Sequence, residues 1–416
     1  MSGDYDPLKV DAYADHLAEI NETGEVIATE DICNQHGTVI VTRGQAISAR
    51  TAEKIICFKL TKPLHHLVAI SGEIDERSLY KALMELLQDY PELLAIHNQF
   101  NLDASIRRQC QLYINFPIIR QKITVLSKQM PNTFKSSLLS AWLCTLIGVR
   151  MSLEEEPLNA LFLAALSHDI GMLHIDPAVL RKKEELNHEE WRQIQAHVVI
   201  GQKILEEEKN LPKGCAKAVL EHHECCDGTG YPTQKDEQDL SLEGQIIAMA
   251  DGIIMIYTKR FIKEKKGIFE IIPILQVNSK AHFYVTYATF VTILRQSDLP
   301  PSKKISDKKA QGLIASFIKE SAQTNKDLIK IKNRIETFEY DENDRKLKAL
   351  YNVYGLIMNA VNGTGILNDN FNTWLNQVEK ETLTFAYHDI ENANQILKEL
   401  QFHIKRLMRI IKTYPN

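Results

Sequence analysis

No stretch of this 416-residue chain approaches the ~18 uninterrupted apolar residues of a membrane-crossing helix. The nearest candidate, around Ile246 to Tyr257, is broken by Asp251. The opening residues, MSGDYDPLKVDAYADHL, carry early acids and no apolar core, so no secretory signal is expected. Cysteine is sparse and irregular. The seven residues (Cys33, Cys57, Cys110, Cys144, Cys215, Cys225 and Cys226) are odd in number and fit neither a disulfide framework nor a zinc ribbon. Excess positive charge is also missing. Lys and Arg total 49 against 54 Asp and Glu, a net charge of -5, so a nucleic-acid polymer is not an expected partner. The chain lacks internal repeats, low-complexity segments, a GxxxxGK phosphate loop, a Ser-His-Asp signature, a receiver domain and a GGDEF signature. What is left is an ordinary globular composition, 44% hydrophobic and 25% charged, in a chain too long for one compact core. The expectation is a soluble, cytoplasmic protein of two or three domains.

Residues 24–66 read as a small β segment. Val26, Ala28 and Thr38-Val39-Ile40-Val41 flank a turn at Asn34-Gln35-His36-Gly37, and a second turn follows at Thr42-Arg43-Gly44. From Glu73 the spacing of Leu79, Leu83, Leu86 and Leu87 is helical. Pro91 and the stretch His97 to Asn101 interrupt it, another helix is expected over 103–130, and helices dominate beyond. Asp298-Leu-Pro-Pro-Ser-Lys-Lys reads as a linker. The last helix carries a heptad seam at Ile390, Ala393, Leu397, Leu400, Ile404, Leu407 and Ile411, suited either to an intramolecular bundle or to a homodimer. The expected order is a small β-rich module (1–70), a helical connector (71–125), a central helical domain (126–300) and a C-terminal helical bundle or coiled-coil extension (301–416). The fold class is therefore mainly α.

The residues that carry chemistry lie in the centre: Ser167-His168-Asp169-Ile170-Gly171, then His197, then His222-His223-Glu224, and finally Asp251. One such group alone means little. His388-Asp389 is a second His-Asp pair with no glycine and no histidine pair downstream, and reads as a solvated helix face. Together, four imidazoles and two carboxylates suit borderline and hard divalent metals such as iron, manganese or zinc. An aspartate can bridge two ions, and two ions about 3.5–4 Å apart activate a bridging water and clamp a phosphoryl group. Hydrolysis of a phosphate ester is the expected chemistry. The apolar run Leu158, Leu161, Phe162, Ala165 and Leu166 buries one helix, which Gly171 is expected to end, with His168 and Asp169 in its last turn. Ala216, Val219 and Leu220 are expected to bury the helix that presents His222 and His223. The vicinal Cys225-Cys226 reads as a reduced spacer.

The segment from about 126 to 300 resembles the HD-GYP family, a branch of the HD superfamily. The first signature stands as HDIG at 168–171 and the second as HHECCDGTGYP at 222–232, with Pro177, Leu180, Leu186, Glu189, His197, Gly201 and Leu205 between them. The resemblance implies an all-helical HD-type domain with metal ligands His168, Asp169, His197, His222, His223 and Asp251. Asp169 is the implied bridge, and Asp169 and His197 are placed at the reaction itself. It further implies two divalent ions, iron or manganese, whose bridging hydroxide opens a cyclic dinucleotide, cyclic di-GMP to pGpG or GMP. Tyr231 is then near the substrate, with Arg260 and Lys263 at its phosphates.

Three positions depart from the family pattern. Met172 stands where a lysine ends the first signature. Between His97 and His168 there is no histidine, and Asn132 to Ser137 offers no acidic or imidazole ligand. Ile254 replaces an aspartate. The last two remove the ligands of a third metal, so two metals are expected. The missing lysine predicts a slow phosphodiesterase. The alternative is a degenerate regulatory module that binds a nucleotide or a protein such as a diguanylate cyclase through the GYP loop.

Overall fold

The structure is a computed structural model that describes residues 12–299, 305–338 and 344–412. Of the segment read as a linker, residues 300–304 lie outside the described residues. Contacts divide the chain into two units. The first runs up to Glu224 and takes back Leu240–Met255. The second holds Cys225–Asp239 and the residues from Ile256 on. This division is discontinuous in sequence, unlike the four consecutive segments expected from breakers and composition.

The first unit begins with helix α1 (Tyr13–Asn21), strands β1 (Val26–Ala28), β2 (Ile32–Cys33) and β3 (Val39–Val41), helix α2 (Ala49–Ile56) and strand β4 (Val68–Ile70). β2 and β3 form the expected hairpin, with Asn34 N–H donating to Thr38 O at 3.0 Å. β1 pairs antiparallel with β4, Val26 opposite Ile70, rather than with the hairpin. α2 interrupts the region read as β. Its start is fixed by Ser48, whose hydroxyl accepts from Thr51 N–H at 3.3 Å.

Helices then follow one another: α3 (Glu76–Gln88), α4 (Pro91–Gln99), α5 (Asp103–Tyr113), α6 (Pro117–Gln129), α7 (Pro131–Arg150) and α8 (Glu155–Ser167). Pro91 does not merely interrupt the helical pattern. It opens α4 at the first helical position, where a missing N–H costs nothing. Pro117 does the same for α6, which is why the single helix expected over 103–130 is two. α7 and α8 run through the interior, where Trp142, Leu143, Leu161 and Leu166 are each 0% exposed. The remaining helices of this unit are α9 (Pro177–Leu180), α10 (His188–Gln195), α11 (His197–Glu206), α12 (Cys215–Glu221) and α13 (Leu242–Ile256). A capping box between Asn187 and Glu190 starts α10.

The second unit holds α14 (Ile262–Glu264), α15 (Ile272–Val277), α16 (Tyr284–Gln296), α17 (Asp307–Ile335), α18 (Arg345–Thr364), α19 (Asp369–Glu381) and α20 (Tyr387–Ile411). Its core gathers Phe317, Leu350, Ile357, Leu375 and Val378 against Ile390, Leu397, Leu400 and Leu407. The heptad seam of α20 is thus the buried side of an intramolecular bundle. Mainly α architecture with a small N-terminal β element is what the structure shows. Among the described residues, no helix is long and apolar enough to cross a membrane.

Candidate metal centre

His168 follows the last residue of α8, His197 opens α11, His222 follows α12, and Asp251 sits within α13. Three of the imidazoles are held by one device. His168 Nδ1 lies 2.8 Å from Ala165 O, His197 Nδ1 2.6 Å from Ile194 O, and His222 Nδ1 2.7 Å from Val219 O. A carbonyl oxygen only accepts, so each neutral ring carries its proton on Nδ1 and turns a bare Nε2 inward. The three carbonyls belong to residues three positions earlier, so the same backbone that packs the helices also sets the rings.

The inward atoms converge. His197 Nε2 and His222 Nε2 are 3.3 Å apart. Asp169 Oδ1 is 3.4 Å from His197 Nε2, and Asp169 Oδ2 is 3.4 Å from His168 Nε2. Asp251 Oδ1 lies 3.7 Å from the same His168 nitrogen. His223 packs on His222, with ring centroids 4.1 Å apart. The ligand atoms of Asp169, His197, His222 and His223 all fall within 4.8 Å of one another. Asp169 therefore turns one oxygen to a His197 side and the other to a His168–Asp251 side.

The donor set asks for cations. His168 Nε2 is buried and has no hydrogen-bond partner. Two facing lone pairs at 3.3 Å repel unless positive charge lies between them. Two carboxylates beside four imidazoles in a nearly closed site are costly without such charge. Metal–ligand bonds of ~2.0–2.2 Å put neighbouring ligand atoms roughly 3.3 Å apart, the spacing found here. The electrostatics agree. Burial disfavours a charged His168, but Asp169 and Asp251 outweigh it and hold the ring's proton affinity well above the ordinary imidazole range. Burial would raise the Asp169 carboxyl, yet His168, His197 and His222 hold it well below the usual carboxylate range. Burial and the neighbouring imidazoles push His222 far down and His223 down to about 4. These residues fit divalent metal.

Close helix approach makes the convergence possible. A Cβ on Gly171 would stand 2.0 Å from His197 O and 3.0 Å from Gly201 N, both backbone. Gly171 does not end α8, as the sequence suggested. That helix stops at Ser167, and Ile170–His174 continue as a 3-10 turn. Only a residue without Cβ lets this turn cross the start of α11. Gly201 in turn lets α12 approach, since its Cβ would be 3.0 Å from Val219 Cγ1. The buried face of α12 is Cys215, Ala218 and Val219, with Ala216 and Leu220 only half-buried. The buried face is the one that meets α11 where Gly201 approaches Val219.

Sequence patterns missed the residues that join α12 to α13. Glu221, fully buried, accepts from Ser241 N–H at 2.8 Å and Ser241 Oγ–H at 2.5 Å. Gln245 donates to Glu224 O at 3.2 Å. A glutamate directly before the histidine pair was the available signal. Of the departures, Met172 is half-buried and Ile254 is buried among apolar residues, so neither offers a ligand.

Tyr231, Arg260 and Lys263 belong to the second unit. Tyr231 is half-buried in a loop whose turn rests on Asp227, which accepts from Thr229 N–H at 3.0 Å and Thr229 Oγ1 at 2.6 Å. Asn352 donates to Asp227 O at 2.5 Å and Arg406 to Thr229 O at 2.7 Å, so α18 and α20 hold the loop. Arg260 donates to Glu264 Oε1 at 3.2 Å and to Gln395 Oε1 at 2.8 Å, while Lys263 is exposed. Cys225 and Cys226 form no disulfide, and burial pushes Cys226 up to about 12. His388 is half-buried and Asp389 exposed on α20, the solvated pair expected.

Comparison with known proteins places these features. The family described as HD domain matches residues 83–284. The 3'3'-cGAMP-specific phosphodiesterase 3 of Vibrio cholerae is 32% identical over 140 residues, 34% of this chain and 30% of its own. The cyclic di-GMP phosphodiesterase of Thermotoga maritima is 34% identical over 131 residues, 31% of this chain and 35% of its own. The 3'3'-cGAMP-specific phosphodiesterase 1 of Vibrio cholerae is 26% identical over 215 residues, half of each chain. The matches thus span 30 to 50% of the length of these relatives. A solved HDG"Y"P protein from Bdellovibrio bacteriovorus overlaps at a TM-score of 0.36 and 12% identity, covering 64% of this chain and 95% of its own. The HD-domain match over residues 83–284 takes in the HDIG and GYP signatures and, with these relatives, bears out the HD-GYP resemblance of this part of the chain.

Proposed function

We propose that the chain is a metal-dependent phosphodiesterase that hydrolyses a cyclic dinucleotide, cyclic di-GMP first, at a centre formed by His168, Asp169, His197, His222, His223 and Asp251. One observation carries the proposal. Asp169 faces His197 with one oxygen and His168 with the other, each at 3.4 Å, as a carboxylate shared by two ions does. We infer two ions, iron or manganese, because no further imidazole or acid stands at Asn132 to Ser137 or at Ile254.

When bound, such a pair supplies Lewis acidity and an activated water. The chain's own residues prepare the place. The backbone carbonyls of Ala165, Ile194 and Val219 keep protons on Nδ1, so each Nε2 stays a donor of electrons. Asp169 and His197 stand where the two halves of the site meet. Hydrolysis adds water across one P–O bond of the ring and leaves a linear dinucleotide. The substrate roles of Tyr231, Arg260 and Lys263 rest on the resemblance. A phosphate would draw Arg260 from Gln395, a neutral partner, in exchange for a charged one.

The test is turnover of cyclic di-GMP and 3'3'-cGAMP by the metal-loaded full chain. Hydrolysis of either, abolished by His222→Ala, supports the proposal. No turnover at high enzyme concentration, with metal bound, contradicts it. Met172, which offers no charge or donor, favours a second reading: a metal-loaded regulatory module that binds a nucleotide, or a protein such as a diguanylate cyclase, without turnover. Binding of cyclic dinucleotide without product would establish that reading.

A further inference from the structure

Away from the HD centre, the first unit brings together three side chains that spacing along the chain does not connect. His65 and His66 end a 3-10 turn (Leu64–His66) just before β4, and Glu207 is the residue that closes α11. Both imidazoles address one carboxylate oxygen: His65 Nε2 is 3.0 Å and His66 Nε2 2.5 Å from Glu207 Oε2. The three ligand atoms lie within 4.8 Å of one another. We propose that His65, His66 and Glu207 bind a divalent metal of the zinc class, and that this ion fastens the N-terminal β element to the far end of the helix that begins with His197.

Four features support a metal over a simple hydrogen-bonded trio. Two imidazoles and one carboxylate are a borderline donor set that suits zinc and discriminates against magnesium and calcium. Tetrahedral ligation with ~2.0–2.1 Å bonds needs neighbouring donors roughly 3.3 Å apart. The observed separations reach that with sub-ångström movement of Glu207, whose side chain is 26% exposed. The donors differ in setting: His65 is 3% exposed and fixed, while His66 is 39% exposed and leaves a side open for water as fourth ligand. Finally, Glu207 stands at the C-terminal end of a ten-residue helix, where the backbone dipole favours a cation. Burial keeps His65 neutral, down to about 4, so its ring is available as a ligand at neutral pH. The Lys122 charge nearby lowers His65 in the same direction as burial.

The site is separate from the HD centre, so its test does not depend on the phosphodiesterase proposal. The full chain carrying Asp169→Asn and His222→Ala is freed of metal and titrated with Co²⁺ and Zn²⁺. The expected result is one saturable equivalent, with the visible spectrum of imidazole-ligated cobalt and a higher Tm with zinc than with magnesium. Adding His66→Ala, at an exposed position, or Glu207→Gln removes that equivalent while the metal-free Tm stays within a few degrees. No binding by the double variant, or binding that survives both His66→Ala and Glu207→Gln, overturns the proposal.

Discussion

Gly171→Ala is the substitution whose effect the geometry specifies most fully. The added methyl would sit 2.0 Å from His197 O and 2.8 Å from His197 C, where ordinary carbon–oxygen contact needs more than 3 Å. The opposing atoms are backbone at the first residue of α11, so no side-chain rotation relieves the clash. Either the 3-10 turn that follows Asp169 or the start of α11 must move by about 1 Å. Overpacking of this kind costs about 1–3 kcal/mol, and the upper end applies because backbone must shift. A ~1 Å displacement also separates His197 from His168 and Asp169, which costs on the order of 100-fold in any reaction that needs them together. The assay pairs urea denaturation with metal content per chain. Gly252→Ala is the control: it lies in α13 with nothing within 4 Å of its Cβ position. There the variant should be as stable as the parent or up to about 1 kcal/mol more so. Gly171→Ala with parental stability and full metal content would refute the close-approach argument.

Three further outcomes are expected. Met172→Lys restores a charged donor worth roughly 1.5–3 kcal/mol, so kcat for a cyclic dinucleotide should rise about 10- to 100-fold without a change in metal content; an unchanged kcat would remove Met172 as the cause of slow turnover. Glu208 accepts from Ile118 N–H at 3.1 Å, and burial pushes its carboxyl up from 4.5 to about 7. The folded chain then holds a proton that the unfolded chain releases. The stabilising contribution is full below about pH 4.5 and lost as pH rises through about 7, and Glu208→Gln should flatten that slope in denaturation curves. Arg406→Ala frees Thr229 O and loosens the GYP loop, so KM for a cyclic dinucleotide should rise several-fold at constant metal content; an unchanged KM would separate the loop from substrate binding.

The six candidate ligands were legible because metal chemistry restricts residue type, and because HDIG and the histidine pair with GYP are compact signatures. Helix dominance was legible from period, as was the Asn34–Gly37 turn. The pairing of β1 with β4 was not, since it joins segments some 40 residues apart across an intervening hairpin and helix. Pro91 reads as a break although it opens a helix, and Pro117 falls inside the single helix expected over 103–130 although a new helix starts there, because proline marks a boundary only when the residues before it show where the earlier helix stops. Gly171 was legible as important, but its cause was hidden. A glycine after a helical run suggests a stop, and only the crossing of α11 shows that space is what it provides. The α20 seam suits a bundle first and a homodimer second, since heptad spacing serves either, and its partners are helices of the same chain. His65, His66 and Glu207 gave no signal, because 141 residues separate His66 from its carboxylate.

The most direct measurement of the central claim is metal content of the full chain purified without chelator, compared between the parent and Asp169→Asn. The variant keeps the shape of the shared carboxylate and removes its charge. The expected result is a loss of two equivalents of metal together with all cyclic dinucleotide hydrolysis. Equal metal content in parent and variant, or none in the parent, would contradict a shared two-ion centre at Asp169.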